Sequence, residues 1–219
     1  MRTNWYHSLP NNLVDREDLI IELCKSRKVL HLGCIDFPYT EEQIKSERWL
    51  HCKITNVASK VLGVDNAKEG IEYVKKTLGI NNIIYGDVEK LFDIVGSESF
   101  EIIVAGEIIE HLSNVGLFLE NVKKIMADET LLVISTINAF CLRRFIRIPF
   151  GLESVHPDHV YYFSHATLTS LLNRKGFKIV ERANYKLRNK KPIIPYIVET
   201  VGSLISKNLC EGLIYVVKR

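Results

Sequence analysis

Short runs of branched and apolar residues recur along the first part of the chain, each followed by a stretch with helical period. They are "KVLHLG" ending at Gly33, "KVLGVD" ending at Asp65, "NIIYGD" ending at Asp87, "FEIIVAG" ending at Gly106 and "TLLVIST" ending at Thr136. A strand that is apolar at nearly every position has to be covered on both faces, and helices that alternate with such strands carry the chain across a parallel sheet. The pattern therefore predicts a doubly wound α/β fold. Two later strands, "FKIVER" and "GLIYVVKR", follow one another and predict an antiparallel pair at the sheet's edge. The expectation is a seven-stranded, mostly parallel sheet with an antiparallel edge strand.

With 219 residues, 47% of them hydrophobic, the chain supports one well-buried core. We expect a single domain over 1–219, with an N-terminal helical segment at 1–27 and longer insertions at 137–164 and 183–211. A formal charge of +3 leaves the partner open and does not by itself argue for nucleic acid. No apolar run approaches the roughly 18 residues of a membrane span, so a soluble, cytoplasmic protein is expected. Cys24, Cys34, Cys52, Cys141 and Cys210 are scattered without a C-x-x-C pair, as in thiols of a reducing compartment.

Helix ends are readable. Thr40 with Gln43 and Asn66 with Glu69 have capping-box spacing, and Gly79 and Gly176 are natural stops. Ala67, Ile71, Val74 and Leu78 form one apolar face, as do Phe118, Val122, Ile125 and Met126.

In an open α/β sheet, ligands sit outside the carboxyl ends of the strands. Gly33 at the first such end lets a backbone approach a ligand closely. Asp65 at the second is placed to accept from ribose hydroxyls, and Asp87 at the third from an adenine amino group. A dinucleotide site would want G-x-G-x-x-G after the first strand, but the chain reads "GCIDFPY", with acidic Asp36 where a phosphate would sit. That disfavours a nicotinamide-dependent oxidoreductase. A cofactor with ribose and adenine but no phosphate fits better, and S-adenosylmethionine is the common one.

After the fourth strand comes "GEIIEHL". As a helical turn it would put Glu107, Glu110 and His111 on one side. Those groups could be a solvated helix start, a general base at His111 oriented by Glu110 or Glu107, or metal ligands.

The order "VLHLGC", "GVDNA", "YGDVEKL", "FEIIVAGEIIEHLSNVGLFLENVKKIM", "LLVIST" and "HPDHVYYFSHATLTSLLNRKGF" resembles class I S-adenosylmethionine-dependent methyltransferases of the type 11 and 12 group, over roughly Lys28 to Arg182. The resemblance implies a Rossmann-like methyltransferase fold. It implies that the Gly33 loop, with Leu32 and Cys34, contacts the methionine part of the cofactor. Asp65 and Asn66 then contact the ribose, Asp87 and Val88 the adenine, and the turn at Gly106 and Glu107 the sulfonium end. In methyltransferases that modify the 3′ end of small RNA, and in some quinone-biosynthesis O-methyltransferases, the E-x-x-E-H block holds a divalent cation with a later ligand. Here "DHVYYFS" would supply His159 to complete Glu107, Glu110, His111 and His159. The same resemblance makes His111, Glu110 and His159 the catalytic candidates. The chain departs from the family where the usual second and third glycines are Ile35 and Phe37.

On the acceptor side, "INAFCLRRFIRIP" interleaves Arg143, Arg144 and Arg147 with apolar residues, which suits a phosphate or carboxylate or else a solvated face. The stretch through "GLESVHPDHVYYFS" resembles methyltransferases of glycan synthesis, which implies a sugar or lipid-linked sugar acceptor. The segment from Ala183 has a basic start, Lys186, Arg188, Lys190 and Lys191, then a helix with Ile197, Val201, Leu204 and Ile205 on one face. It reads as core packing or a homodimer contact ahead of a membrane-surface helix, with a lid also open. The function expected is methylation of a hydroxyl on a small molecule or glycan. RNA 2′-O-methylation and a non-catalytic cofactor-binding module are the alternatives.

Overall fold

The apolar runs all form strands in the computed structural model, which describes residues 8–186 and 193–219. Arg188, Lys190 and Lys191 of the basic cluster, and the first seven residues, lie outside the described residues. In chain order the elements begin with β1 (Leu13–Val14), α1 (Arg16–Cys24), β2 (Lys28–Leu32), α2 (Thr40–Lys45), α3 (Leu50–Val57) and β3 (Lys60–Asp65). Next come α4 (Lys68–Leu78), β4 (Ile83–Tyr85), α5 (Leu91–Val95), β5 (Ile102–Gly106), α6 (Val115–Ile125) and β6 (Leu131–Ile137). The series closes with α7 (Leu142–Phe145), α8 (His165–Arg174), β7 (Lys178–Tyr185), α9 (Ile193–Ile205) and β8 (Gly212–Lys218).

Among the described residues, the strands form one sheet in the order β1-β7-β8-β6-β5-β2-β3-β4. All pairings are parallel except those of β8 with β6 and β7. The late antiparallel pair is present, but β8 is inserted between β6 and β7, and the two-residue β1 adds an eighth strand on the outside. The chain winds outward from β2 to β4 and then returns to place β5 on the other side of β2. The carboxyl ends of β2 and β5 thus form a topological switch point, where the crossovers diverge and leave a crevice.

Alternate residues of the central strands serve two cores. Leu30, Leu32, Ile103 and Ala105 pack with Phe118, Leu119 and Val122 of α6. Val29, Ile102 and Val104 pack on the opposite face with Ile20 and Cys24 of α1 and Ile54 of α3. All five cysteines are free thiols.

Both early capping boxes are absent. Thr40 lies inside α2 with a buried hydroxyl that makes no hydrogen bond, and the helix starts after Tyr39. Ahead of α4, the cap is Ala67, whose N–H donates to Asp65 Oδ1 at 2.8 Å. A carboxylate held at a strand end takes the role expected of Asn66. The predicted stop at Gly79 is observed, with φ of 67°. α8 carries a capping box built by Ser164 and Thr167.

Tyr185 at the end of β7 lies flat on Gly212 of β8, so a Cβ at Gly212 would overlap the tyrosine ring. Gly212→Ala should therefore cost about 1–3 kcal/mol through overpacking. A thermal melt of the variant should show a midpoint several degrees lower; an unchanged midpoint would mean that the ring is not fixed there.

Candidate active site

At the switch point, a cavity of about 590 Å³ opens at the ends of β2 and β5, lined by Gly33, Cys34, Gly106 and Glu107 and walled by Arg16 and Tyr185. Its chemistry is set by one residue in an unusual conformation. Glu107 has φ of +54°, a left-handed value rare for a residue with a Cβ. The conformation is held by its N–H donating to Ser135 O at 2.8 Å, by Tyr185 donating to Glu107 Oε1 at 2.6 Å, and by Arg16 at 3.2 Å from Oε2. Arg16 also donates from Nε to Ser135 Oγ at 3.0 Å. A Cβ at Gly106 would stand 3.2 Å from the Arg16 guanidinium, so the glycine lets α1 reach over the strand end. Desolvation pushes the Glu107 carboxyl up, but Arg16 and the Tyr185 hydroxyl outweigh it and leave the group below its ordinary value. Under the same cavity, His31 and His51 stack with Nδ1 atoms 3.2 Å apart. Burial drives His31 well below its ordinary pKa and His51 down to about 4, so both rings are neutral near pH 7.

Of the residues expected to hold the cofactor, Gly33, Cys34, Gly106 and Glu107 meet around this cavity. Asp65, Asn66 and Asp87 stand at the ends of β3 and β4 outside its lining, and the Leu32 and Val88 side chains are core. The loop after β2 explains the separation. Ile35 is buried with Cys34, Trp49, Val74 and Ile83, and its N–H donates to Asp65 Oδ2 at 2.8 Å. Each Asp65 oxygen is thus already engaged by one backbone N–H. Asp87 Oδ1 accepts from Glu89 N at 2.9 Å. Gly33, with φ of +63°, is covered by Ile108, whose Cδ1 would lie 2.7 Å from a Cβ there. A ligand laid against the Gly33 backbone has to move that side chain.

The segment "GEIIEHL" is not a helical turn. The left-handed Glu107 breaks the helical path, the chain turns with His111 N donating to Ile108 O at 3.0 Å, and α6 begins only after its Asn114 cap. The three polar groups consequently diverge. Glu107 faces Arg16, His111 is exposed, and Glu110 is fully buried. Glu110 Oε2 accepts from Thr136 Oγ1 at 2.9 Å, while Oε1 is buried without a hydrogen-bond partner. Desolvation, with the nearby charge of Glu107, raises the Glu110 carboxyl to about 7.

His111 meets instead the turn 156–159. His159 N donates to His156 O at 3.0 Å, and Val160 N donates to Glu110 O at 2.9 Å, which pins that turn beside the Glu110 backbone. The His111 ring lies 4.5 Å from that of His159 and 5.8 Å from that of His156, centroid to centroid. One nitrogen from each of the three rings lies within 4.8 Å of the others. Desolvation and the neighbouring rings depress His159 to about 4 and lower His111, and His159 Nδ1 is buried without a partner. Of the four expected metal ligands, His111 and His159 are brought together; Glu107 and Glu110 have other partners, and His156 takes the third place.

Arg143 and Arg144 do not form an open anion site. Both pair with Glu211 just before β8, Arg143 at 2.9 and 3.1 Å from its two carboxylate oxygens. Arg16, Tyr185 and the buried His31–His51 pair went unmarked in the sequence, since Arg16, Tyr185 and His51 come to the site from elements distant along the chain and His31 lies within an apolar strand run; the H-x-x-H spacing of His156 and His159 was the one local signal available for His156.

A family model described as a methyltransferase domain matches residues 42–182. No curated protein matches the sequence significantly. Among solved structures, an S-adenosylmethionine-dependent methyltransferase from Archaeoglobus fulgidus is 17% identical with a TM-score of 0.59, over 93% of this chain and 94% of that one. The N-methyltransferase NodS from Bradyrhizobium japonicum, in complex with S-adenosyl-L-homocysteine, is 15% identical with a TM-score of 0.54, over 93% and 85%. The small RNA methyltransferase HEN1 is 14% identical with a TM-score of 0.63, and the match covers 93% of this chain and 25% of that one.

The position of Glu110 makes stability depend on pH with a definite sign. Its folded pKa of about 7 lies above the ordinary 4.5, so folding favours the protonated form. Its contribution is neutral below pH 4.5 and becomes steadily destabilising as pH rises to 7. Glu110→Gln, which keeps the Thr136 hydrogen bond, should match the parent at pH 4.5 and exceed it at pH 8 by up to about 3 kcal/mol, at about 1.4 kcal/mol per pKa unit. Urea unfolding at the two pH values checks this; a gap that does not grow with pH would place the Glu110 carboxylate in a solvated site.

Proposed function

The chain belongs to the methyltransferase domain family and is a transferase with the class I fold, and we propose that it moves the methyl group of S-adenosylmethionine to a hydroxyl of a small molecule, a sugar or a lipid-linked glycan. The observation that carries the cofactor assignment is the cavity at the β2/β5 switch point. It presents an arginine and a glutamate side by side at two glycine-bearing strand ends. An amino-acid zwitterion suits that pair, with its carboxylate toward Arg16 and its ammonium toward Glu107. The adenosine then extends along β3 and β4, where the remaining lone pairs of Asp65 accept from the ribose beside Asn66, and Asp87 with Val88 borders the adenine. NodS in complex with S-adenosyl-L-homocysteine supports the same choice by likeness of fold.

A sulfonium methyl group is already activated, so the protein's work is to position the acceptor, exclude water and take up a proton. In this reading the acceptor enters over the 137–164 segment, with helix α9 bordering it. The acceptor hydroxyl gives its proton to a ring nitrogen of His111, which is neutral near pH 7 and solvent-exposed. Glu110 holds the base of the turn through its backbone carbonyl and its bond to Thr136.

The histidine group also fits a divalent cation. Three convergent nitrogens, two of their rings with depressed pKa values, and a buried unpartnered His159 Nδ1 are a ligating set. With imidazoles and no carboxylate, they suit zinc better than magnesium. His111, His156 and His159 would hold the ion, which when bound lowers the pKa of a coordinated hydroxyl. The meeting of His111 and His159, with the likeness to HEN1, is the observation that favours RNA 2′-O-methylation as the second reading.

Calorimetric titration with S-adenosylhomocysteine should give micromolar binding, and Asp65→Ala should weaken it about tenfold or more through the lost charged hydrogen bonds. Undetectable binding by the parent protein would favour a non-catalytic module whose Gly33 backbone stays covered by Ile108. Zinc added to the parent should bind with a one-to-one stoichiometry that His159→Ala abolishes, while S-adenosylhomocysteine binding persists. Zinc uptake equal in both proteins would leave His111 as a metal-free base. Retention of single-stranded RNA at low salt would promote the RNA reading, and no retention would remove it.

A further inference from the structure

Three residues beneath the cavity fix where one proton sits. His31 in β2 and His51 in α3 are buried, with near-parallel rings 5.4 Å apart and Nδ1 atoms at 3.2 Å. Trp49, whose Nε1 donates to Cys34 O at 2.7 Å, also packs on the His51 ring. Burial lowers the pKa of both histidines, so near pH 7 each is neutral and offers one N–H and one bare nitrogen. The proton's position then follows from Asn82, just ahead of β4. Its Nδ2 donates to Val61 O at 3.3 Å, which turns Oδ1 toward His51 Nε2 at 3.4 Å. The reverse amide orientation would set two carbonyl oxygens against each other. An amide oxygen only accepts, so His51 carries its proton on Nε2 and leaves Nδ1 bare. His31 Nδ1 must supply the proton between the rings, and His31 Nε2 is left as a bare acceptor.

That nitrogen belongs to a residue of the cavity wall, and among the described residues nothing donates to it. The neighbouring carboxylate is already engaged: Glu107 accepts from Tyr185 through Oε1 and pairs with Arg16 through Oε2. An ammonium brings three N–H groups into the cavity, so a further acceptor is needed beside Glu107. We propose that His31 Nε2 accepts from the ammonium of the cofactor's amino-acid end, and that His51 and Asn82 are positioning residues that hold His31 in the accepting tautomer. The inference rests on the reading of this cavity as the site of that amino-acid end. With the opposite tautomer, His31 would point an N–H at the ammonium and repel it. Asn82, which does not line the cavity, thereby becomes a determinant of binding through the two rings.

The test joins a spectroscopic and a binding measurement on the full chain. Long-range proton–nitrogen correlation spectra of the protein labelled with ¹⁵N-histidine should show His31 protonated on Nδ1 and His51 on Nε2. The two rings are identified by the loss of their signals in His31→Leu and His51→Phe. In calorimetry, His31→Leu should weaken S-adenosylhomocysteine about tenfold or more, as expected for a lost hydrogen bond to a charged group. The same variant should bind the analogue that lacks the α-amino group within about twofold of the parent, since that ligand never made the bond. Asn82→Leu should give a smaller loss with the same selectivity for the amino group, because it frees both rings to exchange tautomers. A merely structural role would weaken both ligands alike. Equal losses for the two ligands, or a His31 proton found on Nε2 in the parent, overturn the proposal and leave the cofactor assignment standing. Failure of the parent to bind either ligand overturns that assignment and this inference with it.

Discussion

The site depends on a single backbone choice, the left-handed conformation of Glu107. Left to local preference, "GEIIEHL" would continue as a helix from the strand end, and its three polar groups would share one side. A left-handed residue with a Cβ costs on the order of 1–2 kcal/mol and persists only where its surroundings fix it. Ser135 from β6, Tyr185 from β7 and Arg16 from α1 supply that restraint, so three elements distant in sequence are joined at the end of β5. The consequence runs in both directions along the chain. Toward the cavity, a carboxylate is presented beside a guanidinium. Away from it, Ile109 and Glu110 drop into the core and His111 is turned out to meet the 156–159 turn.

Burial then sorts the ionisable groups of this region by what they can do near pH 7. Glu107 is held ionised by its cation, Glu110 is brought close to neutrality by desolvation, and the rings of His111 and His159 are held neutral. Divergent values for neighbouring carboxylates are how one site contains an anion and an uncharged acid a short distance apart. Neutral imidazoles are the form that either accepts a proton or ligates a metal. The two uses proposed for the histidines thus draw on the same physical state.

The fold was legible because its signal is repeated: apolar runs at "KVLHLG", "KVLGVD" and "FEIIVAG" could only be two-sided strands, and the switch point follows from their order. The strand-end residues Gly33, Gly106 and Glu107 were legible for the same reason. What could not be read was any feature set by contacts across the sheet. The capping roles given to Thr40 and Asn66 failed because Asp65, fixed by the Ile35 N–H, takes the N–H of the cap residue Ala67 ahead of α4, and Thr40 is drawn inside its helix. The helical reading of 107–111 failed because φ at Glu107 is decided by Arg16 and Tyr185, far along the chain. Arg143 and Arg144 looked like an anion site because their partner, Glu211, lies more than sixty positions away.

The departure from the family's glycine pattern has a local physical account. Glycines in such a loop leave room for a ligand against the backbone, and replacing them fills that room with side chain. Ile35 does not point into the crevice; it turns down into the cluster with Trp49 and Val74 and takes the loop with it. Gly70 on α4 accommodates the inserted side chain, since a Cβ there would overlap Ile35. The cost of the substitution is therefore absorbed by packing beneath the loop, and the side chain nearest the open side of Gly33 is Ile108. A single movable isoleucine is a smaller obstacle to a ligand than a loop filled from within. The loss of glycine at Ile35 is thus compatible with an open crevice, because that side chain packs beneath the loop and leaves the cavity beside Gly33 in place.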